Sequence, residues 1–146
     1  MQIKLNRLAI ALLLVCGLGL VPITVRGQSS STGSITATGA DCTTTNACVR
    51  LHFPTSVGLI PGSVTVSVTG TFTATLEFEQ SSDNGTSWAA IQGAPQPSGA
   101  LASSTTTTGS WAFVVASRTD LRVRASAYTG GTAAVFINSS PAGLSG

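Results

Sequence analysis

From residue 64 to residue 137, apolar and small polar side chains alternate with a period of two, and this rhythm restricts the chain more than any other feature. Val64, Val66 and Val68 alternate with Thr65 and Ser67, and Phe72, Ala74, Leu76 and Phe78 alternate with Thr73, Thr75, Glu77 and Glu79. Trp111, Phe113 and Val115 continue the pattern, and Ala133, Val135 and Ile137 close it. In between, Leu121, Val123, Ala125 and Ala127 are expected on one face, with Arg122, Arg124, Ser126 and Tyr128 on the other. Successive strand residues point to opposite faces, so these segments read as half-buried strands. A helix would need apolar residues at helical spacing over ten or more positions, and residues 28–146 contain no such window. Turn chemistry falls between the alternating runs, at Pro61-Gly62, Asp83-Asn84-Gly85, residues 95–99 and Thr129-Gly130-Gly131. Exposed positions are filled with threonine and serine, and the β-branched threonine suits a pleated strand. The expected fold is all-β, an antiparallel β-sandwich of jelly-roll or immunoglobulin-like type. Its natural large core residues are Phe72, Phe78, Trp88, Trp111 and Phe113.

Residues 1–27 follow a different rule. Lys4 and Arg7 precede an apolar stretch at 8–21, Pro22 interrupts it, and Val25 and Gly27 supply the −3 and −1 positions before Gln28. That order is the one found in a secretory signal peptide. The stretch is shorter than the roughly 20 residues that span a bilayer. The expected organisation is a signal peptide at 1–27, a flexible Ser/Thr/Gly leader at 28–34, one β-sandwich domain at 35–140 and a flexible tail at 141–146.

Cleavage changes the electrostatics. Of the seven basic residues Lys4, Arg7 and Arg26 would leave, so four arginines face five acids and the net charge turns from +2 to −1. With no lysine and no basic cluster left, nucleic acid is not an expected partner. Removing 27 of 146 residues leaves 119, enough for one domain. Cys16 goes with the signal, and in an oxidising compartment Cys42 and Cys48 should form a disulfide. So small a ring contributes on the order of 2 kcal/mol through chain entropy.

Residues 81–88, SSDNGTSW, fit the Asp-box pattern Ser-x-Asp-x-Gly-x-Thr-Trp, with Ser87 in the threonine place. The pattern works locally: Asp83 can accept hydrogen bonds from the turn's backbone, Gly85 can take a positive φ and Trp88 can pack back under the hairpin. Such boxes recur once per blade in sialidases and other propellers, whereas this chain holds one copy, so a structural turn is expected. More broadly, TGTFTATLEFEQSSDNGTSWAAI, TTTGSWAFVVA and LRVRASAYTGGTAAVFI together resemble a β-sandwich module of phage tail and other virion-associated proteins and of uncharacterised secreted bacterial proteins. The resemblance covers about half the chain. It implies a structural or surface-binding module that brings no catalytic residues with it.

Glu77 and Glu79 would stand about 6–7 Å apart on one strand face, within the range of glycosidase carboxylate pairs. Those enzymes place the two groups on opposite sides of a bond, which neighbours on one strand do not do. Arg122 and Arg124 form the matching pair, and Glu/Arg pairing across adjacent exposed strands would be worth a few tenths of a kcal/mol. With Tyr128 these four residues make up a candidate ligand face. His52, the one histidine, has no identifiable nucleophile beside it in sequence. Metal-ligand and phosphate-loop spacings are missing, so no cofactor is expected. Asn84 and Asn138 head glycosylation sequons, relevant only in a eukaryotic host. The reading is a secreted, cell-surface or periplasmic module without catalytic activity and, once cleaved, without a membrane segment. Its partners would be a glycan or cell-surface component, or a second copy met through strand edges. A carbohydrate-binding domain is the alternative, and a glycan hydrolase a distant one.

Overall fold

The computed structural model describes residues 28–53 and 61–141, so the signal segment and residues 142–146 of the tail lie outside the described residues. Among the described residues ten strands occur in chain order: β1 Ser30–Ile35, β2 Cys48–His52, β3 Pro61–Thr69, β4 Phe72–Ser81, β5 Ala89–Ala90, β6 Ala94–Pro95, β7 Ser104–Thr105, β8 Gly109–Val114, β9 Asp120–Gly131 and β10 Ala133–Pro141. They form two antiparallel sheets. Sheet A runs β1-β10-β3-β8-β6, and sheet B runs β2-β9-β4-β5, with β7 also paired to β4.

This order separates the two expected topologies. Each of the steps β1 to β2, β3 to β4, β8 to β9 and β9 to β10 carries the chain into the opposite sheet. An immunoglobulin sandwich instead keeps several consecutive strands in one sheet. The alternation between sheets is the jelly-roll arrangement, with β5 and β7 sharing the place of one strand beside β4. Two of its corners interlock. Gly70 joins β3 to β4 at φ 98° and Gly131 approaches the β9-to-β10 corner at φ 88°. A Cβ on Gly70 would meet the carbonyl of Thr132, and one on Gly131 the carbonyl of Thr71. Thr132 N–H donates to that Thr71 carbonyl at 2.8 Å, so the two corners lie against each other.

The inward half of the alternation fills the space between the sheets. Val64, Val66, Phe113, Val135 and Ile137 from sheet A meet Leu76, Phe78, Leu121 and Val123 from sheet B, all buried. Phe78 is at the centre, its ring 5.2 Å from that of Trp111 and 5.1 Å, edge to face, from that of Phe113. Such aromatic pairs add to the free energy of burial.

Several expectations are corrected. Trp88 is only partly buried and does not belong to the core, while Phe53, just after β2, is fully buried in it. Phe72 is packed against the core but half-buried. Ser30 to Ser34, expected in a flexible leader, form most of β1, paired in register with β10. A five-residue polar stretch has no apolar rhythm to reveal a strand, and it is the edge of β10 that supplies its hydrogen bonds. In β9 the pairing with β4 shifts twice, leaving Ser126 and Thr129 as extra residues. Each bulge reverses the facing of the residues after it. Ala127 therefore turns outward and exposed, and Tyr128 turns inward against the core, opposite Ala74.

Candidate functional site

The outer face of sheet B is ruled by three cross-strand rows. Cys48, Arg124 and Glu77 form the first, Arg50, Arg122 and Glu79 the second, and His52, Asp120 and Ser81 the third. By itself the second row is unfavourable, because Arg50 and Arg122 stand directly opposite each other. The structure turns the two guanidinium groups to different acceptors. Arg122 Nε donates to Glu79 at 2.6 Å and its Nη2 to the Ala40 carbonyl at 3.2 Å. Arg50 Nε donates to Asp120 at 2.8 Å and its Nη2 to the Asn84 carbonyl at 2.9 Å. Arg124 bonds both acids of β4, Glu79 through Nε at 3.0 Å and Glu77 through Nη2.

Trp88 covers this network. Its ring centroid is 4.1 Å from the Arg122 guanidinium and 5.5 Å from that of Arg50, both within cation–π range. The expected exposed Glu/Arg pairing is thus corrected: the side chains of Arg122 and Glu79 are only 6% and 12% exposed. They form an ion pair shielded from water, and the energetics of surface pairs do not apply to it.

The turn that carries Trp88 is bonded through nearly every polar atom it has. Ser81 Oγ donates to Asp83 at 2.6 Å and accepts from Gly85 N–H at 2.8 Å. Asp83 accepts from Ser87 N–H at 2.9 Å and from Ser87 Oγ at 2.6 Å. Trp88 Nε1 donates to the Gly85 carbonyl at 3.1 Å. Asn84 and Gly85 both take positive φ, 57° and 84°, which glycine and asparagine tolerate. Hydrogen bonds from the Ser81 and Ser87 hydroxyls, then from Ser87 N–H, hold the Asp83 carboxyl far below its ordinary value. The turn is also tied to its neighbours: Asn84 N–H donates to Thr119 Oγ1 at 2.9 Å, and Thr119 N–H to the Ser81 carbonyl at 2.9 Å.

Asp120 is the buried anchor of the third row. Its side chain has no exposure, and His52 Nδ1 donates to it at 2.9 Å alongside Arg50. Burial pushes this carboxyl up, but hydrogen bonding by Thr119, Arg50 and His52 outweighs burial and leaves it below 3.8. Asp41 is bonded by Thr43 and Thr44, which lower it likewise. Asp41 stands just before the loop closed by the Cys42–Cys48 disulfide, whose Cα atoms are 4.8 Å apart.

Of the sequence-derived candidates, Glu77, Glu79, Arg122 and Arg124 come together as a unit, and Ser81, Asp83, Gly85, Ser87 and Trp88 close over its end. Tyr128 does not join them; its hydroxyl donates to the Gly131 carbonyl at 2.6 Å on another part of β9. The sequence reading missed the Arg50–Asp120–His52 set. The alternation Val49-Arg50-Leu51-His52 marks a strand with a polar outer face, but its pairing with Asp120 spans about 70 residues and emerges only from the register. An open groove of about 400 Å³ lies further along sheet B, between Thr73, Thr75, Thr106, Ala127 and Thr129, with no titratable side chain in its lining. Among the described residues no three His, Cys, Asp or Glu side chains are gathered for a metal ion.

No protein-family model matches the chain, and no curated protein matches it. Among solved structures it is similar to that of the SPBc2 prophage-derived protein YomS, at a TM-score of 0.51 and 22% sequence identity over 76% of this chain and 95% of that one. At this identity the similarity is one of fold.

Proposed function

We propose that this chain is an exported, non-catalytic structural or surface-attachment module, related in use as well as in shape to virion-type β-sandwiches. The observation that carries the reading is the fate of its carboxylates. All five acids of residues 28–146 are bonded by donors of the fold itself: Asp41 by Thr43, Glu77 and Glu79 by Arg122 and Arg124, Asp83 by Ser81 and Ser87, and Asp120 by Arg50 and His52. A general acid or base needs a proton-accepting atom free to meet substrate. Here each acid has at least one oxygen held by a donor of the fold, and the second oxygen of Asp120, Oδ2, is buried without a partner, out of reach of a substrate. The prophage origin of the structural neighbour agrees with a structural module.

The pattern at residues 81–88 is then an Asp-box used as a folding device, and the charged face an internal brace rather than a ligand face. Carbohydrate binding is the competing use of the same surface, through the uncovered part of Trp88. Two measurements test the proposal, the first its export and the second its structural use. Mass spectrometry of exported protein should give an N-terminus at Gln28, and an intact Met1 in exported material would refute export by signal cleavage. The same material should sediment with its own producing particles or cells and bind no member of a glycan array. Selective binding of one glycan class, abolished by Trp88→Ala without loss of folding, would replace the structural reading with the lectin one.

A further inference from the structure

A jelly roll leaves strand edges, and proteins ordinarily blunt them with charge, proline, bulges or short strands because a bare edge invites another strand. In sheet B, β2 is five residues long, bears Arg50 and His52 and begins at a disulfide. On the far side β5 and β7 are two residues each, and the part of β4 they leave uncovered, residues 72–75, pairs with β9 through two bulges. In sheet A, β6 is a two-residue strand containing Pro95, with Pro97 just beyond it.

β1 has none of these devices. It is six residues long, SSTGSI, without a charge, a proline or a bulge, and pairs in unbroken register with β10. Ser139 N–H donates to the Ser29 carbonyl at 2.8 Å, which makes 29 and 139 a hydrogen-bonded pair. By the alternation of an antiparallel ladder, Ser31, Gly33 and Ile35 bond β10, while the backbone groups of Ser30, Thr32 and Ser34 point away from it. Among the described residues none is paired to that side.

A second observation concerns charge. The strands of sheet A, β1, β3, β6, β8 and β10, contain no Asp, Glu, Lys, Arg or His, so the charges of all described strands lie in sheet B. The row through the middle of β1 reads Thr32, Phe136, Ser67 and Ser110, and Phe136 is 46% exposed. A surface of this kind places no like charges against each other when it meets its own copy, whereas sheet B would. An antiparallel strand is also complementary to itself about a twofold axis.

We propose that β1 pairs with β1 of a second copy of this chain about a twofold axis at Thr32, with Ser30 opposite Ser34, joining two A sheets into one continuous ten-stranded sheet. The occupant is a second copy because the edge offers a self-complementary ladder and no charge or pocket by which to select another protein. This inference deepens the structural-module reading, since a twofold joint is how such a module would assemble. A strand-edge joint is smaller than the interfaces of stable complexes, so the dimer is weak and dependent on concentration.

Sedimentation of the exported protein tests it, with the weight-average mass expected to rise towards twice the monomer as concentration increases. Thr32→Cys should form a disulfide-linked dimer under mild oxidation, because a hydrogen-bonded antiparallel pair holds its Cα atoms about 5.5 Å apart, within disulfide reach. Thr65→Cys, exposed in the middle of the same sheet, should not. Thr32→Pro removes an N–H that β10 does not use, and should hold the protein monomeric with its melting temperature little changed. If that variant fails to fold, the cross-linking contrast still decides. A mass that stays monomeric at every concentration would overturn the proposal, as would cross-linking at Thr65 equal to that at Thr32. A monomer that still sediments with particles or cells would overturn the dimer and leave the module reading standing.

Discussion

Replacing Glu79 with alanine tests whether the outer face of sheet B is a structural brace. The substitution removes the acceptor of Arg122 Nε at 2.6 Å and of Arg124 Nε at 3.0 Å. Arg124 keeps Glu77, but Arg122, 6% exposed, keeps only the Ala40 carbonyl at 3.2 Å and the face of Trp88. Breaking a buried pair from one side typically costs about 3–5 kcal/mol, because the remaining charge has lost both its partner and its water. The two surviving contacts offset part of that, each at about 1 kcal/mol or less, so a net loss near 3 kcal/mol is expected. For a chain of this size that is a fall in melting temperature of about 10–15 °C. Removing both charges with Glu79→Leu and Arg122→Met should recover more than half of the loss, since apolar replacements of a buried pair are often neutral. Urea unfolding monitored by circular dichroism on the wild type, both single variants and the double gives the coupling energy, expected near 2 kcal/mol in magnitude. A loss below about 1 kcal/mol for Glu79→Ala, the value of an exposed pair, would refute the argument that this face is shielded.

Other outcomes rest on the same contacts. Gly131→Ala forces an alanine into φ 88° with its Cβ on the Thr71 carbonyl and should cost about 2–4 kcal/mol, whereas Gly130→Ala, with nothing within 4 Å, should cost far less; thermal melts compare them. Asp41, Asp83 and Asp120 all have carboxyls depressed below 3.8, so the stability they add is complete above about pH 4 and is lost as pH falls through their lowered values. Urea midpoints measured down the pH scale should hold level to about pH 4 and drop beneath it; a main loss between pH 7 and 5 would contradict this assignment. Cys48→Ser should keep the β spectrum and lose about 2 kcal/mol, since the ring closes only a seven-residue loop.

The period of two made the strands legible, and with them the all-β class, because Val64 to Val68 or Leu121 to Ala125 can bury one face only as strands. What remained hidden depends on contacts distant in sequence. Ser30 to Ser34 carry no apolar rhythm, and they form a strand because β10 offers an edge. The reversal at Ser126, which takes Tyr128 off the charged face, arises from fitting β9 to β4 and has no signature in LRVRASAY. Trp88 reads as a core residue by size. The tight 81–88 turn delivers it instead to the outer face, over two arginines whose separation in sequence conceals that they are neighbours. Arg50 and Asp120 illustrate the same limit, since each looks like an ordinary surface charge until the register puts them in adjacent rows.

The central claim is that the polar groups around residues 81–88 hold the fold together and do not meet a ligand. Its most direct test measures melting temperature and surface or glycan binding on the same samples of wild type, Asp83→Ala and Trp88→Ala. Asp83→Ala removes the acceptor of three bonds within the turn, and Trp88→Ala uncovers Arg122. The account predicts that both variants melt below the wild type and that any binding declines in step with the folded fraction. A variant that keeps the wild-type melting temperature while losing binding would contradict it and make Asp83 and Trp88 a recognition site.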